Sequence, residues 1–524
     1  MPPIRKLLPL LVTFVTIACG WLASAASASS NQEAILQEDV GTRSDPTTTL
    51  ATLRSLGITR LRVIVNWNTV APGATSHHKP SHFNASTPGS YPAANWAMYD
   101  RIIKTATADG IAVDMNLTGP APLWATGSGV PRGGAAGPWK PSTREFGAFV
   151  KAVGTRYSGH YHSLPRASFW AIWNEPNYGV DLAPQATHND TIEVGAWSYR
   201  NILDSAYSAL RSSGHSRDTI VFGETAPRGL DHPIGNYSGV KPLRFLRALY
   251  CVDRNYHQLR GSAASARGCP TTSSGSRAFA RQHPALFHAS GFSDHPYAQG
   301  YTPTTMTYAC GPRTVCGSHS RSDPDYADFA VLPRLMRALD RLNRAYGSHT
   351  RFPIWSTEYG YWTNPPDKFA TINPDVAAGY MNWAEYLSYK QPRISSYDQF
   401  LLVDPPLGNF ASGLEFFGGK HKVTYDAYRL PLFLPTTSIR RGRSVEVWGG
   451  VRPAHFASGQ QLVRIEYRRG SSGAFSAVQT LALKNRRGYF DTRVTFPASG
   501  SVRLAWSDPL GGTAHSRTIK ISVH

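Results

Sequence analysis

The chain has 524 residues, of which 41% are hydrophobic and 17% charged, and carries a net charge of +20 at pH 7. This length excludes one small domain and predicts a large enzyme fold followed by an accessory module. The positive charge suits an acidic polymer, but the arginines are scattered and no nucleic-acid-binding motif accompanies them, so nucleic acid is not an expected partner.

Residues 1–28 read as a cleaved secretory signal. Arg5 and Lys6 precede an apolar stretch from Leu7 to about Leu22, and Ala23-Ser24-Ala25 and Ala26-Ser27-Ala28 both suit a signal peptidase. Lipidation at Cys19 is disfavoured, because the preceding Thr16-Ile17-Ala18 lacks the leucine of a lipobox. No later apolar segment is long enough to span a bilayer, so the expected location is extracellular, with or without attachment to the cell surface.

From residue 29 to 433 short apolar strands alternate with helices, the pattern of βα units around a parallel sheet. Eight strands are predicted: Ala34–Leu36, Leu61–Val65, Ala112–Leu117, Ser168–Trp173, Ile220–Gly223, Gly291–Ser293, Pro353–Ser356 and Ser395–Val403. Between them, Thr49–Ser55 reads as a helix closed by Gly57. Ser142 and Glu145 form a capping box ahead of Phe146, Phe149, Val150, Val153 and Tyr157, which share one helical face. Eight such units predict a (β/α)8 TIM barrel, with chemistry at the C-terminal ends of its strands.

Four cysteines follow the signal, Cys251, Cys269, Cys310 and Cys316, in Gly-, Ser- and Arg-rich loops without a C-x-x-C pair. Disulfides are therefore expected in place of zinc, and proximity favours Cys251 with Cys269 and Cys310 with Cys316. After Phe433 the pattern changes to period-two alternation, as in Val463-x-Ile465-x-Tyr467 and Val502-x-Leu504-x-Trp506, separated by Gly and Ser turns. Residues 434–524 read as a small antiparallel β-sandwich. It holds 14 Lys and Arg against 4 Asp and Glu, a basic surface suited to an acidic cell-wall polymer.

Two strands end in lone carboxylates. Phe169-Trp170-Ala171-Ile172-Trp173-Asn174-Glu175-Pro176 places Glu175 at the end of the fourth strand, and Pro353-Ile354-Trp355-Ser356-Thr357-Glu358 places Glu358 at the end of the seventh. An unpaired buried carboxylate is costly, so two facing one barrel mouth point to acid and nucleophile roles in glycosidic bond cleavage. A helix N-terminal carboxylate is the bland alternative for Glu175, and the Asn-Glu-Pro context disfavours it. Asn174 suits a sugar hydroxyl; His295 and Tyr297, from Asp294-His295-Pro296-Tyr297, suit tuning the acid and orienting the nucleophile; Arg62 suits holding Glu358 ionised. Trp67, Trp124, Tyr361 and Trp362 are expected to offer faces for sugar rings. Glu224, at the fifth strand, is a third carboxylate expected to bind substrate or support the other two.

The runs Trp-Asn-Glu-Pro, His-Pro-Tyr and Thr-Glu-Tyr-Gly, in this order, resemble the clan A retaining glycoside hydrolases, in particular the cellulase-like family 5 and the family 39 enzymes, over roughly Ala34 to Phe433. The resemblance implies that Glu175 is the acid/base and Glu358 the nucleophile of a double displacement on a polysaccharide or oligosaccharide, without metal or organic cofactor. It carries over Asn174, His295 and Tyr297 by motif and Arg62 by position alone. The eighth strand, Ser396-Tyr397-Asp398-Gln399-Phe400, lacks the tryptophan the family often places there. Two other functions share these features: a non-catalytic carbohydrate- or cell-wall-binding protein on a hydrolase fold, and a transglycosylase.

Overall fold

A computed structural model describes residues 29–187, 191–230, 235–305, 323–509 and 511–524; the signal segment, Cys19, Cys310 and Cys316 lie outside them. Each of the eight predicted strands is present: β1 (Glu33–Gln37), β2 (Arg60–Asn66), β3 (Ala112–Thr118), β4 (Phe169–Ile172), β5 (Thr219–Thr225), β6 (Gly291–Asp294), β7 (Ile354–Ser356) and β8 (Ser396–Phe400). They form one parallel sheet in the order β8-β1-β2-β3-β4-β5-β6-β7. The ring closes where Ile354 bridges Ile394 in parallel and the Ser395 N–H donates to the Ile354 carbonyl at 2.8 Å. The fold is a (β/α)8 barrel, which sets all strand C-termini on one face.

Local sequence accounts for the helices. Pro46–Ser55 starts at an Asp45 cap with Pro46 in its first turn, where a missing N–H costs nothing. Thr143–Arg156 buries Phe146, Phe149, Val150 and Val153, the predicted face. Its capping box is only half made: Ser142 Oγ accepts from the Glu145 N–H at 3.4 Å, while the Glu145 carboxylate pairs with Lys79 at 2.6 Å and the Ser142 N–H goes to the Ala125 carbonyl. Cys251 and Cys269 are bonded, within the long β5–β6 connection. Among the described residues no helix is long and apolar enough to cross a membrane.

The C-terminal region contains β9 (Leu432–Phe433), β10 (Ser438–Ile439), β11 (Ser444–Gly450), β12 (Leu462–Arg469), β13 (Ser476–Ala482), β14 (Tyr489–Thr495), β15 (Gly500–Ser507), β16 (Thr513–His515) and β17 (Ile519–Val523). One sheet runs β9-β11-β14; the other runs β10-β17-β15-β12-β13, with β16 on β15. All pairs are antiparallel except β10 with β17. Val447, Ile465, Phe496, Val502 and Leu504 share one core, which Leu430 and Leu432 already join. The chain thus enters this core a few residues ahead of the change of pattern expected at 434.

This region packs on the barrel end that carries the strand N-termini. Trp448 and Tyr489 stack at 5.7 Å, and Tyr389, at the end of helix Pro374–Tyr389, closes on both. Gly57 does more than end a helix. A Cβ there would stand 2.2 Å from the Arg452 carbonyl carbon, so only glycine admits this approach. Beside it Arg452 and Glu385, both buried side chains, pair at 2.5 Å, and the Tyr489 hydroxyl donates to Glu385 at 2.8 Å. Removing one partner of such a pair strands the other charge. Arg452→Met should therefore lower the unfolding free energy by about 3–5 kcal/mol, and adding Glu385→Leu should recover most of that loss. Urea unfolding of the two variants beside the parent checks both outcomes.

Candidate active site

The barrel interior is polar where it reaches the strand C-termini, and the polar residues alternate with apolar ones, as on a strand whose alternate side chains point inward. Asp114 and Asn116 on β3, Ser293 on β6 and Asp398 on β8 are all buried. Arg62, from the middle of β2, sits fully buried among them. Its guanidinium donates to Glu358 at 2.6 Å, to Glu224 at 2.5 Å, to Asn174 Oδ1 at 3.0 Å, and to Gln37. Charge-assisted bonds of this kind favour the ionised carboxylate.

Glu224 reaches this interior through a backbone irregularity. The β5–β6 register shifts between Gly223 and Thr225, and Glu224 itself has φ +48°. Such a bulge re-aims one side chain. Glu224 then accepts from Arg62, from Asn116 at 3.1 Å and from Thr357 at 2.9 Å, so its pKa is held at about 2: burial opposes this, and the Arg62 and His295 charges outweigh it.

Glu175 is aimed in a similar way. Beyond β4, Trp173 and Glu175 take φ of +70° and +35°. Non-glycine residues adopt these angles only under constraint. The constraint is visible: the Trp173 N–H donates to the Leu117 carbonyl at 2.8 Å, and its own carbonyl accepts from Asn116 at 2.9 Å. The indole is fully buried, a spike that lets Asn174 and Glu175 project into the mouth.

His295 lies between the carboxylates. Its Nδ1 is 3.0 Å from Glu175 and 3.5 Å from Glu358, and its Nε2 is 3.0 Å from Glu224. Burial would lower its pKa, but the three carboxylates raise it well above the ordinary value, which favours the imidazolium form, able to donate from both nitrogens. Tyr297 donates to the second oxygen of Glu358 at 2.9 Å. Burial pushes the Glu175 pKa up against the His295 bond, which favours its protonated form. One oxygen each of Glu175 and Glu358 and a ring nitrogen of His295 lie within 4.8 Å of one another.

Glu175 and Glu358 open on a pocket of about 460 Å³, also lined by Tyr178, Tyr297, Trp362, Phe400 and Phe410. The structure thus brings together Glu175, Glu358, Asn174, His295, Tyr297, Arg62, Glu224 and Trp362. It corrects the other aromatic residues. Trp67 is fully buried, stacked 5.9 Å from Phe149, and Tyr361 is buried with its hydroxyl accepting from Tyr359, so neither ring can meet a sugar. Trp124 packs edge-on against Trp67, donates to the Pro72 carbonyl at 3.0 Å and does not line this pocket. Glu224 and Arg62 are fully buried, so they can reach substrate only through the partly buried Glu175 and Glu358. Asn116, Thr357, Phe400 and Phe410 were not anticipated. Asn116 carried one signal, its i, i+2 spacing from Asp114 in an otherwise apolar strand.

No family model matches the chain, and no curated protein matches it. Among solved structures, a family 39 glycoside hydrolase from the gut symbiont Bacteroides cellulosilyticus WH2 is 13% identical with a TM-score of 0.46, over 90% of this chain and 82% of that one. A family 1 β-glucosidase from Thermotoga maritima is 13% identical with a TM-score of 0.43, over 73% and 83%. An exo-β-1,4-mannosidase from Opitutaceae bacterium strain TAV5 is 14% identical with a TM-score of 0.38, and this chain spans 61% of its length. At such identities and TM-scores the chemistry rests on the carboxylates themselves.

Asp294, next to His295, accepts from Thr225 at 2.9 Å, and burial pushes its pKa from 3.8 up to about 8. The unfolded chain releases this proton first, so the native state is progressively disfavoured as pH rises between those values. In Asp294→Asn that dependence should disappear. The stability of the parent relative to the variant, measured by urea unfolding, should fall steadily from about pH 4 to about pH 8; a constant difference would mean that Asp294 is ionised throughout.

Proposed function

We propose that the protein is a secreted retaining glycosidase acting on a polysaccharide or oligosaccharide. The observation that carries this is the pair of strand-end carboxylates, close together, with Arg62 paired to Glu358 at 2.6 Å and burial pushing the Glu175 pKa up. A separation of about 5–5.5 Å suits direct attack on the sugar, whereas an intervening water needs about 6.5 Å or more. One oxygen of Glu175 and one of Glu358 lie within 4.8 Å of each other, a closeness compatible with direct attack.

In the first step Glu358 attacks the anomeric carbon as the glycosidic C–O bond breaks, and Glu175 gives its proton to the leaving oxygen. In the second, water adds its oxygen to the anomeric carbon and its proton to Glu175, and the bond to Glu358 breaks. Arg62 and Tyr297 hold the two Glu358 oxygens, so the carboxylate meets the sugar in one orientation. Asn174, half-buried beside Glu175, is placed to hold a sugar hydroxyl. Secretion rests on residues 1–28, and a loose attachment to acidic cell-wall polymer on the basic C-terminal strands.

Glu358→Ala should abolish turnover even of aryl glycosides. Glu175→Ala should cost about 10²–10⁴ on substrates whose leaving group needs a proton and far less on good aryl leaving groups. Azide added to the Glu358 variant should give a glycosyl azide of inverted configuration, and to the Glu175 variant one of retained configuration. The same anomer from both would remove the assignment. Parent protein that binds sugars without cleaving any would make it a binding protein, and transfer exceeding hydrolysis at high acceptor concentration would make it a transglycosylase.

A further inference from the structure

The wall of the pocket facing away from the carboxylates is apolar: Trp362, Phe400, Leu401, Pro405 and Phe410. Three side chains there can hydrogen-bond, Asn409, Gln299 and the Trp362 indole N–H, and the Gln299 oxygen already accepts from Arg228. A sugar pressed against this wall would leave several hydroxyls without partners, each at a cost, whereas an aliphatic group would lose nothing.

The wall continues outward. Phe369, Leu407 and Phe410 are 85%, 88% and 37% exposed, and they belong to the loops after β7 and β8. Both loops are braced beneath these side chains. The Asp367 carboxylate accepts from the Phe369 N–H at 2.9 Å and the Phe410 N–H at 2.8 Å. Lys422 and Asp404, fully buried, pair at 2.7 Å, and the Lys422 ammonium also holds the Ala411 carbonyl and the Thr363 hydroxyl at 3.1 Å. Phe410 is kept at φ +52° by this frame. A buried ion pair and a strained phenylalanine that serve to display apolar rings beside two reacting carboxylates mark a binding surface.

We propose that the substrate is a glycolipid-like glycoside: a sugar seated at Glu175 and Glu358, with an aliphatic chain lying along Leu401 and Phe410 and out over Leu407 and Phe369. This rests on the glycosidase reading of the same site and names what it accepts. The full chain is titrated calorimetrically with methyl, butyl and octyl thioglucosides, which resist hydrolysis, below their micellar concentrations. Affinity should rise with chain length, by at least about tenfold from methyl to octyl given the gain per buried methylene. The rise should shrink in Phe410→Ser and in the double variant Phe369→Ser/Leu407→Ser. A flat or absent gradient, a gradient unchanged in both variants, or tighter binding of cellobiose than of octyl thioglucoside would overturn the proposal. A chain that shows the gradient yet cleaves no glycoside would defeat the hydrolase reading, and the glycolipid as substrate with it, while keeping the aliphatic binding surface; a hydrolase with no gradient would defeat this proposal alone.

Discussion

A fully buried guanidinium dictates the design of this barrel mouth. An arginine cannot shed its charge, so burying Arg62 requires anions and acceptors around it. Glu224 and Glu358 supply the charge, and Asn174 and Gln37 the remaining bonds. Glu224 in turn carries His295, whose second positive charge sits against Glu175 and Glu358. Arg62 and His295 face Glu224 and Glu358 from within the barrel, and burial pushes Glu175, beside them, towards its protonated form. On the proposed reading, acid and nucleophile are told apart by a network neither of them anchors.

The backbone irregularities follow from the same demand. β4 and β5 would, if regular, turn alternate side chains to opposite faces, and neither would deliver a glutamate where Arg62 and His295 need one. Left-handed angles at Trp173, Glu175 and Glu224 supply the deviation. Their strain is tolerated because Leu117, Asn116 and Ser293 hold the surrounding backbone.

Much of this was legible in the sequence. Strands buried on both faces appear as short apolar runs bounded by Gly, Pro and polar residues, so all eight barrel strands could be placed, and the two glutamates stood out as charges ending such runs. Arg62 was legible as a charge inside a strand, but its bond to Glu224 was not, because it depends on a one-residue register shift. The aromatic residues were the least readable. Trp67 and Trp362 carry the same local signal, and only packing against Phe146 and Phe149 buries the first while the loop after β7 exposes the second. β13 escaped notice for a related reason: on a sheet edge, with exposed and half-buried side chains, it shows little alternation of hydrophobicity.

The mounting of the C-terminal sheets has a geometric consequence. Gly57, Arg452, Glu385 and Tyr389 tie them to the end of the barrel where the strands begin, while Glu175 and Glu358 stand where the strands finish. A polymer held by these basic strands would therefore lie behind the barrel, with its whole length between that polymer and the two carboxylates. Were the proposed attachment made there, the protein would not digest its own anchorage, and what it cleaves would come from the opposite side.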